Sequence, residues 1–451
     1  GLTSQQLTYL ANTQLDGLRS TQLGIMSTAQ LDGLTTAQIG GLMDTQLDGL
    51  TCPQLASWNI TQLGALDAVQ IAGLSTEQTK CLEPNQKEVI SGKTTRVSDG
   101  YLGDPANKGS DNPVISADGR YVAFTSDAYN LVVGDNNGVS DIFRRDTLTG
   151  QTIRISLDSA GNQANLGSDH PAISADGRFV AFASYATNLV TGDTNNGADI
   201  FLRDVQSGQT TRISVDSYGN QAFRDSHLPA ISADGRLVTF SSDAPAFEIG
   251  DSNEVSDIFL RDTQTGQTKR ISVDSTGKQA NQPSDNSAIS ADGRFVAYTS
   301  LASNLVDGDT NRLVDTLLYS TQTGQTTRLS VNSSSVQANL YSNYEPSISA
   351  DGRFVVFLSH ATNLVSGDSK NVQDIFLRDT KTGQTTRISE DSNGVQGNSY
   401  VYYAPSISAD GRFVAFLSYA SNMVVGDTNK EPDIFIKNIQ TGQTRRVSIN
   451  S

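Results

Sequence analysis

Short runs of alternating hydrophobic and polar residues follow one another along the last four fifths of the chain, and the same order of runs returns six times. One unit begins with the apolar residues Pro171-Ala172-Ile173 and continues through Asp-Gly, Phe-Val-Ala-Phe, a long polar stretch, Asp-Ile-Phe-Leu-Arg-Asp, Ser-Gly-Gln and Thr-Thr-Arg-Ile-Ser. Alternation of this kind predicts half-buried strands, and the Asp-Gly and Ser-Gly-Gln segments are typical of tight turns. Each unit therefore predicts four short antiparallel strands.

The motif Ser-Ala-Asp-Gly-Arg marks the period of the repeat. Its copies begin at Ser116, Ser174, Ser232, Ser290, Ser349 and Ser408, so the spacing is 58 in the first three intervals and 59 in the last two. Four such strands cannot bury both of their faces alone, so neighbouring units must pack on one another. A β-sandwich is the rival architecture, but it does not need near-identical units. The sequence predicts a mainly β protein with a six-bladed β-propeller of 58–59-residue repeats.

These repeats resemble those of a known family. The segments Ser-Ala-Asp-Gly-Arg-Phe-Val-Ala-Phe, Asp-Ile-Phe-Leu-Arg-Asp and Thr-Arg-Ile-Ser are similar to the repeats of TolB-type propellers, a branch of the WD-repeat-like propellers. The resemblance covers roughly residues 92–451, although the family usually has Pro where this chain has Ala175. It implies a six-bladed ring that serves as a binding platform, and it implies no particular ligand.

The connection lengths indicate which face of the propeller carries function. The first-to-second and third-to-fourth turns are short, whereas the second-to-third and the unit-to-unit connections are long. In an up-and-down meander both long connections emerge on one side, here named the long-loop face. Binding residues tend to lie on loops held by a rigid scaffold, so this face is the candidate functional face.

Residues 3–82 repeat with a period of eight instead. Gln holds the fourth place of all ten octads, Leu or Ile holds the fifth in nine, and Leu, Met26 or Trp58 holds the eighth. One long helix cannot use this period, because each octad rotates the apolar pair by about 80° around the axis. Residues able to form a capping box with the Gln three places later stand at Ser27, Thr35, Thr51, Asn59, Asp67 and Ser75. We predict an N-terminal solenoid of short helical octapeptide repeats.

Alternate octads contain Leu-Asp-Gly-Leu, which predicts a coil made of two octads, each with one short helix. The alternative is a flexible low-complexity stalk. The octads resemble Leu/Gln-rich tandem repeats of large bacterial surface proteins. The predicted domains are thus a solenoid at 1–82, a linker at 83–91 and the propeller at 92–451.

Two questions stay open at this stage. Residues 93–98 and residues 444–448 both match the fourth strand of a unit, and the sequence does not decide which of them closes the ring. Cys52 and Cys81 are the two cysteines of the chain, and they could pair in an oxidising compartment or remain free.

Charge narrows the set of partners. The net charge of −16 and the pI near 4.6 argue against binding to nucleic acid or to anionic membranes. No apolar run approaches the ~20 residues of a membrane span, so we expect no membrane insertion. Nothing at Gly1 resembles a signal peptide, which is therefore either absent or already removed.

The most specific chemical pattern is Gly-Asp-x-Asn-x-x-x-Asp in the long second-to-third loops. Oxygen ligands at alternate positions, closed by a later carboxylate, are typical of Ca²⁺ sites. The predicted metal ligands are Asp135, Asn137, Asp141, Asp193, Asn195, Asp199, Asp251, Asn253, Asp257, Asp309, Asn311, Asp315, Asp427, Asn429 and Asp433. Lys370 should weaken a site in the fifth unit. The alternative is a metal-free loop ordered by Asx turns.

Catalysis finds little support in the sequence. The histidines His170, His227 and His360 stand in different phases of the repeat, and no nucleophile elbow, P-loop or dinucleotide motif is present. The Arg-Asp pairs that end the third strand, and the Arg of Thr-Arg-Ile-Ser, are interpreted as exposed ion pairs or as charges that keep the strand edge soluble. We expect that the protein is not an enzyme.

Two functions fit these patterns. The first is an extracellular or cell-surface structural or adhesive protein, with the periplasm as another compartment, in which a calcium-stabilised propeller on a repeat stalk associates with itself or with other surface proteins. The second is a module that binds a protein or a glycan through its long-loop face. Its candidate residues are Tyr344, Tyr400, Tyr402 and Tyr403, for which ordinary rim packing is the alternative.

Overall fold

The computed structural model describes residues 3–15, 17–66, 68–83, 86–87, 90, 96–245, 247, 253–368, 372–429 and 431–448. They divide into two compact units, a helical unit that ends at Arg96 and a β unit that runs from Val97 to Ser448. The predicted linker 83–91 and the predicted strand 93–98 lie partly outside the described residues.

Each octad of the helical unit contains one short helix, as the sequence predicts. The helices are α1 (Ser4–Thr8), α2 (Asn12–Leu15), α3 (Ser20–Gly24), α4 (Thr28–Leu31), α5 (Thr36–Gly40), α6 (Asp44–Leu47), α7 (Cys52–Ser57), α8 (Ile60–Leu63), α9 (Ala68–Gly73) and α10 (Thr76–Thr79).

Capping boxes begin these helices. Ser27 Oγ accepts a hydrogen bond from the backbone N–H of Gln30 at 3.3 Å, and Gln30 Oε1 accepts one from Ser27 N–H at 2.9 Å. The exchange satisfies two N–H groups that have no partner within the helix. Equivalent boxes, also as predicted, form at Thr35, Asn59 and Ser75. The predicted cap Asp67 lies outside the described residues.

The coil of the solenoid is longer than the two predicted octads. The Nε2 group of Gln38 donates to the carbonyl of Leu7 at 2.8 Å and to that of Leu10 at 2.7 Å, which are 31 and 28 residues earlier. Gln46, Gln54 and Gln78 repeat this pattern. The prediction of two helices per coil is wrong. Each of these four Gln side chains belongs to its own octad and binds an octad that lies four octads earlier in the chain.

The fifth place of the octad forms the core of this unit. Its Leu or Ile is at most 2% exposed in eight octads, at Leu7, Leu15, Leu23, Leu31, Ile39, Leu47, Leu55 and Leu63. A disulfide between Cys52 and Cys81, whose Cα atoms are 5.9 Å apart, joins residues that are 29 positions apart in sequence. The question of cysteine pairing is thereby answered.

The β unit contains six four-stranded antiparallel sheets in meander order, as predicted. Blade one has β1 (Ser110–Ile115), β2 (Tyr121–Ser126), β3 (Asp141–Asp146) and β4 (Thr152–Arg154). Blade two has β5 (Ser168–Ile173), β6 (Phe179–Ser184), β7 (Asp199–Asp204) and β8 (Gln209–Arg212). Blade three has β9 (Ser226–Ile231), β10 (Leu237–Ser242), β11 (Asp257–Asp262) and β12 (Gln267–Arg270).

The second half of the propeller repeats the pattern. Blade four has β13 (Ser284–Ile289), β14 (Phe295–Ser300), β15 (Asp315–Ser320) and β16 (Thr326–Arg328). Blade five has β17 (Ser342–Ile348), β18 (Phe354–Ser359), β19 (Asp374–Asp379) and β20 (Gln384–Arg387). Blade six has β21 (Val401–Ile407), β22 (Phe413–Ser418), β23 (Asp433–Asn438) and β24 (Thr444–Arg446). Thr444–Arg446 is therefore the fourth strand of blade six, and each described sheet has four strands.

The short first-to-second turn is held by side chains of its own motif. In blade two, Ser174 Oγ donates to Asp176 Oδ1 at 2.7 Å and accepts from Phe179 N–H at 2.9 Å. Gly177 has φ of +71°, a conformation that favours glycine. Arg178 then binds Asp204, at the end of β7, through two hydrogen bonds of 2.9 and 2.7 Å.

The predicted Arg203–Asp204 ion pair is therefore wrong. Asp204 binds Arg178 from the neighbouring turn instead. Arg203 Nη1 donates to the carbonyl of Asp158, in the loop that leaves blade one, at 2.8 Å. Adjacent residues of a strand point to opposite faces, so each of the two finds its own partner.

Candidate functional site

The predicted ligand residues of the Asp/Asn loops come together in the structure, but they surround an arginine. In blade one, Arg154 at the end of β4 lies between Asp135 and Asp141. Its Nη2 is 2.9 Å from Asp135 Oδ2, and its Nε is 3.6 Å from Asp141 Oδ2. All three side chains are at most 5% exposed. The interpretation of this arginine as an exposed ion pair is wrong.

The same ion pairs recur in other blades. Arg212 Nη1 lies 3.5 Å from Asp193 and 3.2 Å from Asp199 in blade two. The remaining pairs are Arg270 with Asp257, Arg328 with Asp309 and Asp315, Arg387 with Asp368, and Arg446 with Asp427 and Asp433. Asp251, the first ligand predicted in blade three, and Lys370 in blade five lie outside the described residues.

Serine and glutamine side chains also donate hydrogen bonds to the buried carboxylates of the loop. Ser214 Oγ donates to Asp199 Oδ1 at 2.5 Å, and Gln221 Nε2 donates to Asp193 Oδ1 at 2.8 Å and to Asp199 Oδ2 at 3.3 Å. Equivalent serines bind the carboxylate in the other five blades, at Ser156, Ser272, Ser330, Ser389 and Ser448.

The asparagine of each loop orders the backbone. Asn195 Oδ1 accepts from Gly197 N–H at 3.1 Å, and its Nδ2 donates to the carbonyl of Ala222 at 2.9 Å. This is the Asx geometry that the sequence offered as the alternative to calcium. Asn137, Asn253 and Asn311 make both contacts, and the amide oxygen of Asn429 accepts from Glu431 N–H.

The contacts of this donor set favour an arginine over a calcium ion. Ca²⁺ needs six to eight oxygen atoms with free lone pairs. Here the carboxylate oxygens already accept hydrogen bonds from Ser, Asn or Gln and lie against a guanidinium, and the amide oxygens accept from backbone. Calcium binding stays a prediction, and the contacts favour arginine as the cation of these loops.

The sequence reasoning missed the Arg, Ser and Gln of this network, although a signal was available. Arg154 and Ser156 follow Asp141 at offsets that return unchanged in blade two, where Arg212 and Ser214 follow Asp199. A charge of opposite sign at a constant offset from a repeated carboxylate indicates a pairing that is built into the repeat.

Burial sets the protonation of these carboxyl groups. It raises the pKa of Asp141 and Asp199 above the ordinary value, while hydrogen bonds from serine and the charge of the arginine oppose it. The pKa of Asp315 and that of Asp374 rise to about 6. At the opposite end of the strands, the hydrogen bond from Arg178 holds the pKa of Asp204 well below its usual range.

A channel of about 1400 Å³ runs between the six innermost strands. Each of these strands has a register irregularity near its middle. His170, Leu228, Asn286 and Tyr403 line the channel and have φ between +50° and +61°. β17 and β21 each have one residue more than the other inner strands. The extra residue in each of the two 59-residue spacings therefore lies in a strand that lines the channel.

Blades five and six carry an aromatic rim at the long-loop end of their inner strands. The ring centroids of Tyr341 and His360 are 4.5 Å apart, and those of Tyr400 and Tyr419 are 4.8 Å apart. The members of this aromatic rim are Tyr341, His360, Tyr400, Tyr402, Tyr403 and Tyr419. The positions that match the two pairs in the other blades hold Gly109 and Asp127, Gly167 and Tyr185, Asp225 and Asp243, and Pro283 and Leu301.

The structure describes the side chains of three of the four tyrosines that the sequence singled out. Tyr400, Tyr402 and Tyr403 are 46%, 41% and 63% exposed, so rim packing does not bury them. The side chain of Tyr344 lies outside the described residues. Sequence reasoning missed Tyr341 and Tyr419, which stand next to an inner and a second strand. A comparison of the residues at the same repeat position in all six units could have found them.

Other site chemistry is sparse. His227 Nε2 lies 3.7 Å from Asp285 Oδ1, which raises the pKa of the histidine. Within the described ranges, no three or more His, Cys, Asp or Glu residues are grouped so that they could hold a metal ion. None of the helices in that part of the chain has the length and apolar character needed to cross a membrane.

Comparison with solved structures returns β-propellers. TolB from Acinetobacter baumannii is 18% identical over 62% of this chain and 54% of its own, with a TM-score of 0.38. A putative TolB from Agrobacterium tumefaciens is 18% identical over 67% and 86%, with a TM-score of 0.40. An oligogalacturonate lyase from Vibrio parahaemolyticus is 11% identical over 78% and 80%, with a TM-score of 0.47.

The region matched to the Acinetobacter baumannii protein spans about half of that chain. No protein-family model and no curated protein matches the sequence. At these identities the likeness concerns the fold, which the six four-stranded sheets establish on their own.

Proposed function

We propose that this chain is a non-catalytic structural protein of the cell exterior, whose propeller and helical repeat unit associate with further copies or with other surface proteins. The observation that carries the proposal is the use of the repeated charged groups. The loop carboxylates, arginines and serines contribute to the packing of the blades in the same way. The most specific chemical motif of the sequence therefore supports a structural role.

The disulfide supports an exterior location. Disulfides persist in oxidising compartments such as the extracellular space and the periplasm, and they are rare in the cytosol. The Cys52–Cys81 bond closes a loop of 29 residues in a unit built from helices of four to six residues. Such a crosslink contributes about 3–4 kcal/mol in the chain-entropy model.

The size and location of the native protein test this proposal. We expect ordered assemblies in material extracted from its source under non-reducing conditions, seen by electron microscopy and by sedimentation, and we expect the chain in the exterior fraction. A reduced chain confined to the cytosol, or a strict monomer at every concentration, would contradict it.

The aromatic rim favours a second candidate function, the binding of a protein or a glycan at the long-loop face. Exposed tyrosines offer large, rigid, amphipathic contact area at low entropic cost. A titration of neutral oligosaccharides and of extracted surface proteins, followed by calorimetry, tests it. Loss of binding in Tyr400→Ala but not in Tyr218→Ala, where the ring is 87% exposed on a different loop, would support this function.

A further inference from the structure

Five times within the chain, one blade packs on the next through the same surfaces. The second and third strands of the earlier blade face the inner and second strands of the later one. Between blades two and three, Ala181, Ile200 and Leu202 pack with Val238 and Phe240. Each of these five side chains is at most 6% exposed.

Two contacts mark this interface at the first-to-second turns. The backbone N–H of Ala175 donates to the carbonyl of Ala233 in the next blade at 3.0 Å, and the equivalent bonds begin at Ala117, Ala233, Ala291 and Ala350. In addition, the first side chain of the second strand covers the turn glycine of the next blade, as Phe179 does at Gly235. Tyr121, Leu237, Phe295 and Phe354 cover Gly177, Gly293, Gly352 and Gly411 in the same way.

Blade six has the forward surface of this interface, and no other blade covers it among the described residues. Ile434 is 37% exposed, whereas its equivalents Ile200 and Ile375 are 0% exposed. Leu417 and Ile436 are half-buried, whereas Leu358 and Leu377 in blade five are buried. We name Phe413, Ala415, Leu417, Ile434 and Ile436 the blade-six face.

Blade one has the opposite surface, and no blade covers its inner strand among the described residues. The second-strand residues Val122 and Phe124, which are equivalent to Val238 and Phe240, are nevertheless only 7% and 2% exposed, in a cluster with Val97 and Ala106. Ile115 is 61% exposed, although each of its equivalents packs into a core shared by two blades. Pro113 is exposed, whereas Pro171 and Pro229 are buried. An added Cβ at Gly119 would meet only Ile115, so no aromatic ring covers this turn. We name Pro113, Ile115 and Gly119 the blade-one face.

We propose that the blade-six face of one copy of this chain binds the blade-one face of a second copy, head to tail. The two faces are complementary because each is one half of an interface that the chain builds five times. In those five interfaces the position of Ile115 always holds Ile, and the position of Ile434 holds Ile in four. Both are apolar, and the sixth Ala–Ala bond, from Ala409 to Ala117, is absent among the described residues. This inference names the surface used by the self-association under "Proposed function" and rests on it.

The contact is heterologous, since different surfaces of the two copies meet. Such a contact produces an open filament unless its rotation closes a ring. Each added copy leaves one blade-six face and one blade-one face free at the two ends, so assembly has no built-in limit other than closure.

Sedimentation velocity of the full chain across a concentration series tests the surface. We expect concentration-dependent assemblies for the unmodified chain and monomers for Ile434→Asp and for Ile115→Asp, because each variant places a carboxylate on one face. Leu148→Asp is the matched control, since that residue is 77% exposed in the third-to-fourth turn of blade one and should leave assembly unchanged.

Mixing the two face variants gives the sharpest readout. Each retains one intact face, so an equimolar mixture should form dimers and nothing larger, while each variant alone stays monomeric. Assembly that survives both substitutions would overturn the proposed surface but leave the proposed self-association intact.

A cysteine pair separates association from closure within one chain. Ala117→Cys with Ala409→Cys should give crosslinks between copies, found as dimers and larger species on non-reducing gels. Ala350→Cys with Ala409→Cys is the positive control for an internal crosslink, because those residues are already hydrogen-bonded at 2.9 Å. An intramolecular Ala117–Ala409 crosslink in a protein that stays monomeric would overturn both this inference and the proposed self-association.

Discussion

At the scale of single residues, a guanidinium lies between two buried carboxylates in blade two. Arg212 is 10% exposed, and Asp193 and Asp199 are at most 2% exposed, so removal of the cation leaves charges that water cannot reach. Uncompensated buried charge is far more costly than an intact pair is stabilising. The arginine is therefore a structural counterion rather than a surface charge.

Arg212→Met should accordingly lower the free energy of unfolding at pH 7 by about 3–5 kcal/mol. Part of this loss should be recovered near pH 5, where one of the two abandoned carboxyl groups takes up a proton. Chemical denaturation at both pH values measures the effect. Arg224→Met, at an exposed loop position, is the control and should change stability by less than about 0.5 kcal/mol.

The raised pKa of Asp315, about 6, predicts a second pH effect of known sign. A carboxyl group whose pKa is higher in the folded state stabilises the fold below its unfolded pKa, near 4, and loses this contribution as the pH rises through 6. The destabilisation caused by Asp315→Asn should thus be larger at pH 4.5 than at pH 7, by on the order of 2 kcal/mol. Equal losses at the two pH values in denaturant titrations would contradict the account.

Prediction from the sequence succeeded for residues that bond within their own loop. It failed for residues whose partner lies on another strand. The Asx role of Asn195 was offered because an asparagine bonds its own loop. The counterion Arg212 comes from another strand, β8, so its pairing with Asp193 and Asp199 depends on how the strands of the blade lie against one another. Local patterns do not carry that information.

At the scale of elements, the contacts of the loop between the second and third strands differ from those that the calcium motif predicts. Arginine, serine and glutamine complete the loop, so we expect its stability to be independent of metal. Melting temperatures in EDTA and in millimolar Ca²⁺, with Mg²⁺ as control, should agree within about 2 °C. A shift specific to Ca²⁺ and larger than about 5 °C would show occupied metal sites.

Close contact between octads explains the glycines of the solenoid. A Cβ at Gly49 would lie 2.2 Å from the carbonyl oxygen of Ser20, whereas a Cβ at Gly73 would meet nothing within 4 Å. Gly49→Ala should therefore destabilise the helical unit by about 1–3 kcal/mol, and the matched Gly73→Ala should be neutral or slightly stabilising. Hydrogen exchange of the helical unit in the full chain measures both.

Element type was predictable in both repeats, but the coil length of the solenoid was not. Capping boxes and strand alternation act within eight residues, so they can be read from sequence. The return distance depends on Gln38 Nε2 meeting carbonyls 28 and 31 residues earlier. The alternating Leu-Asp-Gly-Leu motif suggested a coil of two octads and had no bearing on that contact.

At the largest scale, the six near-identical repeats of the β unit form five blade-to-blade interfaces and, in the part of the chain that the structure describes, leave the blade-six face and the blade-one face uncovered by another blade. The period predicted the blade number and the four-stranded sheets. It did not predict which faces stay free, because each unit carries both halves of the interface. Ile115 differs from its five equivalents in exposure and not in residue type, and so does Ile434 from four of its five equivalents, the exception being Thr316.

Hydrogen exchange of the inner strands tests the central claim most directly. In dilute solution, amides of Ser110–Ile115 should exchange faster than those of Ser168–Ile173 and Ser226–Ile231, because no preceding blade covers them. As the concentration rises, their exchange should slow towards that of the other inner strands when a second copy binds. Protection of Ser110–Ile115 equal to that of Ser168–Ile173 at the lowest concentration would mean that blade six closes on blade one within the same chain, and would contradict the account.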